Sequence, residues 1–326
     1  MPRREARMRI ALISPDYLPV PPVKYGGIER VVYTLAEELV DRGHDVTLYA
    51  PIGSQTRAKL IPYLHHGHDM WQIPSFVKLT LPPGIDVIHD HTQLSVVGQK
   101  KLPVPTVCTI HNPLHNPVKH PVYLSKRHLE LFGHNQDRYV YNGLNPDEYQ
   151  FSDHKDDYLL YIGSIIEYKG VHHAIEVAVR TNQKLIIAGP IYDHNYFHHQ
   201  IIPRIIANPN IQYIGEVGGQ ERQDLLKKAR CMLFPTLCEE PFGLVMIEAL
   251  VCGTPVLALS NGSVSEVMSG FPNLICHSVD QMGEKAAHEV LPSSDEMRAY
   301  VLNNFTTSIM TDRYLDIYQQ VINEES

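Results

Sequence analysis

Two carboxylates, Glu240 and Glu248, stand seven residues apart in a stretch that reads Glu239-Glu240-Pro241-Phe242-Gly243-Leu244 and then continues as an apolar run to Leu250. Pro241 suits the first turn of a helix, so the spacing predicts a helix over 242–251. Eight residues at about 100° each put Glu248 roughly 80° from Glu240 around that helix, two turns further in. One acid at the mouth of a helix and one inside it suit two hydroxyl-bearing groups of a single ligand. The backbone N–H groups of Phe242, Gly243 and Leu244 would meanwhile face phosphate oxygens. An acid complementing the helix dipole, followed by an exposed helical acid, has the same spacing, so the spacing alone does not choose.

A second candidate is the glycine pair Gly26-Gly27, which directly precedes an amphipathic stretch. Glycine there lets backbone N–H groups approach an anion at a helix N-terminus, or simply supplies a turn with positive φ. The loop is long and proline-rich, lacks a G-x-G-x-x-G pattern, and the next strand ends in Ala50-Pro51 without a ribose-binding acid. A nicotinamide dehydrogenase is disfavoured on that ground.

These residues need a scaffold, and the patterning supplies one. Ile28, Val31, Val32, Leu35, Ala36, Leu39 and Val40 share one helical face over 27–42. Short apolar runs at 9–14, 45–50, 86–89, 106–111, 121–124 and 139–141 read as strands. After a polar break at 145–157 the register restarts, with strands expected at 158–162, 184–188, 211–214, 232–235, 255–259 and 274–276. Helices are expected at 169–181, 201–207, 220–229 and 242–251. Strand and helix in alternation give parallel sheets covered on both faces, here in two α/β units. Tyr314, Ile317, Tyr318 and Val321 recur at helical spacing near the end and need a surface to pack on. Segment 53–81, with His65, His66, His68 and the single tryptophan Trp71, shows no readable period.

Composition narrows the function classes. The 326 residues carry 28 basic and 36 acidic side chains, a formal charge of −8, so a general nucleic-acid partner is disfavoured. Five scattered cysteines without a C-x-x-C pair read as a reduced chain. No apolar run is long enough to span a bilayer, and the run after the basic N-terminus is too short for a signal-peptide core. A cytoplasmic location is expected, with membrane association weak at most. His89 and His91 are metal ligands by type, but no third ligand follows at a recognisable spacing, so no metal is expected. His91 is expected to line the cleft and His89 to be half-buried in its strand; one of His172 and His173 is expected to face solvent.

The order Gly163-Ser164-x4-Lys169-Gly170, Ala188-Gly189-Pro190, Gly215-Glu216 and the Glu240…Glu248 block resembles the retaining GT-B glycosyltransferases of family GT4. The likeness runs from about residue 8 to about residue 321. It implies two facing Rossmann-like domains with parallel sheets and an active site in the cleft. Residues 1–144 would form the acceptor domain, 145–306 the nucleotide-sugar domain, and a terminal helix, 307–326, would pack back on the first.

Position by position, the resemblance assigns the ribose hydroxyls of a nucleotide to Glu248 and the donor sugar hydroxyls to Glu240. The amides of Phe242, Gly243 and Leu244 would meet the sugar and diphosphate. Lys169 would neutralise the diphosphate, and Gly26 and Gly27 would approach it. Gly215 and Glu216 would lie near the base, and His111, in Cys108-Thr109-Ile110-His111-Asn112-Pro113, beside the donor sugar. His91 and Asn112 are acceptor-side candidates, and 53–81 and 112–121 candidate walls of that site. One position departs from the family: Ser164 stands where an arginine usually pairs with the lysine, which removes a bidentate cation from the diphosphate site.

The activity implied is retaining transfer from a nucleoside diphosphate sugar, expected to be a uridine diphosphate sugar, to the hydroxyl of a small-molecule, glycan or lipid-linked acceptor. No cofactor is expected. A nucleotide-sugar epimerase or hydrolase on the same fold, and a non-catalytic nucleotide-sugar-binding protein, are the alternatives.

Overall fold

The computed structural model describes residues 7–64, 69–100, 102–134, 137–288 and 290–325. His65, His66 and His68 lie outside them. The chain divides into two compact units: one runs to Leu144 and takes back the chain from Thr307, the other is Asn145–Thr306.

The first unit is built on strands β1 (Arg9–Ile13), β2 (Asp45–Ala50), β3 (Lys59–Pro62), β4 (Val87–Asp90), β5 (Thr106–Thr109), β6 (His120–Tyr123) and β7 (Arg138–Tyr139), with helices α1 (Gly27–Asp41), α2 (Ile73–Thr80) and α3 (Lys126–Phe132). All seven strands are parallel, in the order β3-β2-β1-β4-β5-β6-β7. The unread segment 53–81 supplies β3 and α2. Its Tyr63, Ile73 and Val77 pack with Ala11, Ile13, Tyr49 and Ile88 in one buried cluster, so at least these side chains belong to the core. Tyr63 also donates to the Ser14 carbonyl at 2.6 Å. Non-local packing of that kind leaves no period in the sequence.

The second unit holds β8 (Leu159–Ile162), α4 (Val171–Thr181), β9 (Leu185–Ala188), α5 (His194–Tyr196), α6 (Ile202–Ile206), β10 (Ile211–Tyr213), α7 (Gly219–Lys228), β11 (Cys231–Phe234), α8 (Leu244–Val251), β12 (Val256–Leu259), α9 (Val264–Val267), β13 (Ile275–Cys276), α10 (Val279–His288) and α11 (Ser294–Asn304). Its six-stranded sheet runs β10-β9-β8-β11-β12-β13, again parallel. The expected helix at 201–207 is a π-turn, Phe197–Ile201, followed by α6. Helix α11 carries a capping box, Ser293 with Glu296, a signal that the sequence displays and the patterning argument passed over.

The last helix, α12 (Thr307–Glu325), closes the chain within the first unit. Buried Tyr314, Tyr318 and Val321 face inward. Arg42 of α1 bonds Asp312 and the Ser308 carbonyl, and Arg138 bonds Glu324 at 2.7 Å. The helical spacing of Tyr314–Val321 thus has the surface it required.

Two expected helix starts move. Gly243, at φ 76°, breaks the chain before α8, so α8 begins at Leu244 and Glu240 and Pro241 lie in the preceding loop. Glu240 and Glu248 therefore do not share a helix. Likewise Lys169 ends a 3-10 turn, Glu167–Lys169, and α4 begins only after Gly170. Gly170 is held at φ 73°, and a Cβ there would stand 2.0 Å from the Pro235 carbonyl oxygen. Gly170→Ala should cost about 2–4 kcal/mol, lowering the melting temperature of this unit by roughly 5–15 °C; a fall of less than about 2 °C in a thermal melt would show the backbone there to be freer than described.

Candidate active site

In open parallel sheets ligands bind beyond the carboxyl ends of the strands, where strand order reverses. In the second unit that point lies between β8 and β11, because the chain builds outward from β8 through β9 to β10, then returns to β11 and builds the other way. Lys169 follows β8 and Glu240 follows β11, and the Lys169 ammonium bonds the Glu240 carboxylate. Both side chains are partly buried, at 23 % and 12 % exposure. The backbone N–H of Ser263 donates to the Glu240 carbonyl at 2.9 Å, and that of Gly262 to the Glu239 carboxylate at 3.1 Å, which fixes the acidic loop.

Glu248 sits one turn into α8 and is buried. Tyr149 donates to its Oε1 at 2.8 Å, and Arg222 of α7 donates to Oε2. A carboxylate offers about four acceptor directions, and these two bonds orient it. Burial opposes the charge on Arg222, but the facing carboxylate more than offsets it and holds the guanidinium firmly protonated. Neither Arg222 nor Tyr149 is signalled by any short-range pattern; both reach Glu248 only through the packing of α7 and the 145–157 loop.

The remaining donor-side positions sort by what each can present. Phe242 is buried with its ring against Phe305, so only its backbone is available to a ligand. Ser164 is buried too, and its carbonyl accepts from Tyr161 at 3.0 Å. Gly215 has φ +83° and open space around it, and Glu216 beside it is exposed. Helices α4 and α8 start on glycine without a side-chain cap, as does α1 of the first unit. No N-cap side chain takes up their first N–H groups, unlike those of α3, α5 and α11, which Ser125, Asp193 and Ser293 cap; in α4 the His172 N–H donates instead to the Tyr196 hydroxyl at 3.1 Å. A hollow of about 730 Å³ between Lys184, Tyr158 and Asp224 lies at the opposite, amino end of β8 and β9 and contains none of these residues.

In the first unit Gly26 is held at φ 152°, where a Cβ would stand 2.6 Å from Pro22, whereas a Cβ on Gly27 would meet nothing within 4 Å. Gly26 is thus required by its turn and Gly27 faces open space. His111 follows β5 and is half-buried, with its pKa pushed down to about 3 by desolvation and by neighbouring His128. Asn112 donates to the Gln93 carbonyl at 3.1 Å.

Three expectations about histidines need correction. His91 is fully buried, beside His89 and His111, so its side chain presents no surface to an acceptor. His89 is fully rather than half-buried, at the same covered end of β4. His172 and His173 are both half-buried, and His172 bonds the Tyr196 hydroxyl at 2.7 Å. Among the described residues no group of three or more histidine, cysteine or acidic side chains is placed to hold a metal ion, and no helix is long and apolar enough to cross a membrane.

Comparison with known proteins decides the family. Residues 147–300 match the model of glycosyl transferases group 1, and residues 25–145 match that of glycosyltransferase family 4. The chain is a group 1 glycosyltransferase of the GT4 type. Like MJ1607, a glycosyltransferase of Methanocaldococcus jannaschii, to which it is 24 % identical over 80 % of its own length and 83 % of that protein's, this glycosyltransferase spans most of its relative. AviGT4, a glycosyltransferase involved in avilamycin A biosynthesis, superimposes with a TM-score of 0.83 at 25 % identity, covering 97 % of this chain and 98 % of that one. Anabaena HepE, solved in complex with UDP and glucose, has the same fold, with a TM-score of 0.75 at 15 % identity over 96 % of this glycosyltransferase and 100 % of HepE. Two Rossmann-like units with parallel sheets are the GT-B architecture of these enzymes.

Proposed function

We propose that this glycosyltransferase moves a sugar from a nucleoside diphosphate sugar, with uridine as the base, to an acceptor hydroxyl, with retention of anomeric configuration and without a metal ion. The observation that carries the reading is the meeting of Lys169 and Glu240 at the strand-order reversal of the second sheet, beside the uncapped start of α8. A cation and a row of backbone N–H groups suit a diphosphate, and a neighbouring carboxylate suits sugar hydroxyls. HepE binding UDP and glucose on the same fold supports the donor class.

Charge grows on the departing diphosphate as the bond from the sugar C1 to the phosphate oxygen lengthens. Lys169 and the first N–H groups of α8 are positioned donors for that charge. The acceptor oxygen forms its bond to C1 on the face the phosphate leaves, and its proton passes to a phosphate oxygen, so atoms and charge balance without a protein nucleophile. Glu248, oriented by Arg222 and Tyr149, takes the ribose hydroxyls, and Glu240 takes those of the sugar. Gly215 and Glu216 lie at the base, and Gly26 and Gly27 contribute backbone N–H groups to the diphosphate. His111 contacts the donor sugar. Ser164 leaves Lys169 without the arginine partner usual in the family, so a lower donor affinity goes with this site.

Proton NMR of the product tests the reading. With a UDP-α-sugar and an accepting glycan, the new linkage should be α. A β linkage would overturn retention, and sugar released or isomerised with donor alone would assign the site to a hydrolase or an epimerase.

A further inference from the structure

Trp71, the single tryptophan of the chain, is 60 % exposed. A lone apolar ring at a surface is ordinary; what sets this one apart is the turn that displays it. Met70–Gln72 form one 3-10 turn between β3 and α2. Met70, before the indole, packs against the buried cluster of the first unit, and Ile73, after it, belongs to that cluster. The Gln72 carboxamide donates to Asp69 Oδ2 at 2.5 Å, and the Gln72 backbone N–H donates to the Asp69 carbonyl at 3.0 Å. The turn is thus anchored on both sides of Trp71 and closed by its own hydrogen bonds.

It is also tied to the edge of the sheet where a ligand belongs. In the first unit the chain builds from β1 through β2 to β3, then returns to β4 on the other side of β1, so strand order reverses between β1 and β4. Ligands of open parallel sheets bind beyond the carboxyl ends of the strands at such a point. Asp16 follows β1 there and is buried, and its Oδ2 accepts the backbone N–H of Asp69 at 3.0 Å. A buried carboxylate therefore fixes the Trp71 turn to that edge.

Three polar groups of the turn have no hydrogen-bond partner among the described residues: the indole N–H, Asp69 Oδ1 and the Gln72 carboxamide oxygen. One donor and two acceptors beside a flat apolar ring match a sugar, whose C–H face lies on an aromatic ring while its hydroxyls both donate and accept. The carboxylates of Asp16 and Asp69, with no basic residue from 69 to 77, do not suit a phosphorylated acceptor or an anionic lipid surface. We propose that Trp71, Asp69 and Gln72 form an acceptor subsite that takes a neutral sugar ring, with the indole as its platform. This names the acceptor class of the proposed function, and rests on that function only in calling the bound sugar an acceptor.

Trp71 reports its own ligand, because no other tryptophan emits. The full chain, without donor, is titrated into the tens of millimolar with methyl α-glucoside, methyl α-mannoside, methyl α-galactoside and maltose, with glycerol as the solvent control. At least one of them should shift or quench the emission saturably. Half-saturation should rise about tenfold in Asp69→Ala, which removes a hydrogen bond to a charged group. Gln72→Ala, at an exposed side chain, serves if that variant does not fold, with a loss of about threefold. Magnetisation transfer from the protein to the bound sugar, read by NMR, should vanish in Trp71→Ala. No sugar moving the emission beyond the glycerol control, or an unchanged half-saturation in a folded variant, would overturn the proposal. So would a shift given only by phosphatidylcholine vesicles, which would make the ring a lipid anchor. UDP titrated in parallel keeps the two readings apart: a sugar that shifts Trp71 in a chain that binds no UDP leaves this subsite standing and removes the donor assignment.

Discussion

Glu248→Ala should abolish turnover and also weaken the second unit by about 3–5 kcal/mol, because it strands the Arg222 guanidinium beside an empty position. Arg222 and Glu248 are 13 % and 3 % exposed, so solvent does little to rescue the unpaired charge. Low activity in that variant therefore mixes a lost ligand contact with a damaged fold. Replacing the pair together separates the two. Arg222→Met with Glu248→Leu leaves no unpaired charge, and apolar replacement of a buried ion pair is often neutral or stabilising. Urea unfolding of the double variant should return close to the unaltered protein, while kcat/KM should remain depressed by about 10²-fold or more, equivalent to at least ~2.7 kcal/mol of transition-state stabilisation. Recovery of activity along with stability would show that Glu248 serves the fold alone.

Acidification should destabilise the first unit, and the sign follows from its buried histidines. His89 and His91 are held well below the usual histidine range by burial, and His128 is pushed down to about 4 for the same reason. A histidine with a depressed folded pKa lets the unfolded chain bind the extra proton, so stability is lost as pH falls below about 6.5. Between pH 7 and 5.5 each costs about 1.2 kcal/mol, nearly 4 kcal/mol for the three. Glu29 works in the opposite direction. Burial raises it to about 7; its folded form binds the proton first and gains about 1.6 kcal/mol over the same interval. The histidines win, by at least about 2 kcal/mol, since His111, pushed down to about 3, adds to the same side. Above about pH 7 Glu29 is a buried, ionised carboxylate and its contribution stays unfavourable, so Glu29→Gln should be the more stable chain at pH 8. Urea titrations followed by Trp71, the single tryptophan, report this unit. Equal midpoints at pH 7 and 5.5 would contradict the account.

Much of this architecture is legible in the sequence because it is local. The strand runs 9–13, 45–50, 185–188 and 256–259 are short and apolar, and α1 announces its face by period, so strand–helix alternation follows directly. What escapes is set by distant partners. Segment 53–81 hides β3 and α2 because Tyr63, Ile73 and Val77 are specified by the sheet they cover. The start of α8 is misread because Pro241 is a good first-turn residue, while the left-handed Gly243 two residues on decides the break.

The same division holds for the candidate site. Glu240, Glu248, Lys169 and the glycines stand out by motif. Their partners Arg222 and Tyr149 do not, since each is placed by an element remote in the chain. Tyr314 and Tyr318 are visible as a helical face, but nothing in their spacing tells that the Tyr318 hydroxyl ends on His89 and that of Tyr314 on Thr109. His91 is read as lining a cleft because the end of a parallel strand is ordinarily open; here it is buried beside His89 and His111.

The central claim is that the second unit grips a nucleoside diphosphate sugar through Glu248 and Lys169. Calorimetric titration of UDP and of a UDP-sugar into the full chain, beside the Arg222→Met, Glu248→Leu double variant, tests it most directly. The unaltered protein should bind one equivalent saturably, and the folded double variant should bind at least about tenfold more weakly, a loss of ~1.4 kcal/mol or more. An unaltered protein that takes up no nucleoside diphosphate, or a double variant that binds it equally well, would contradict the account.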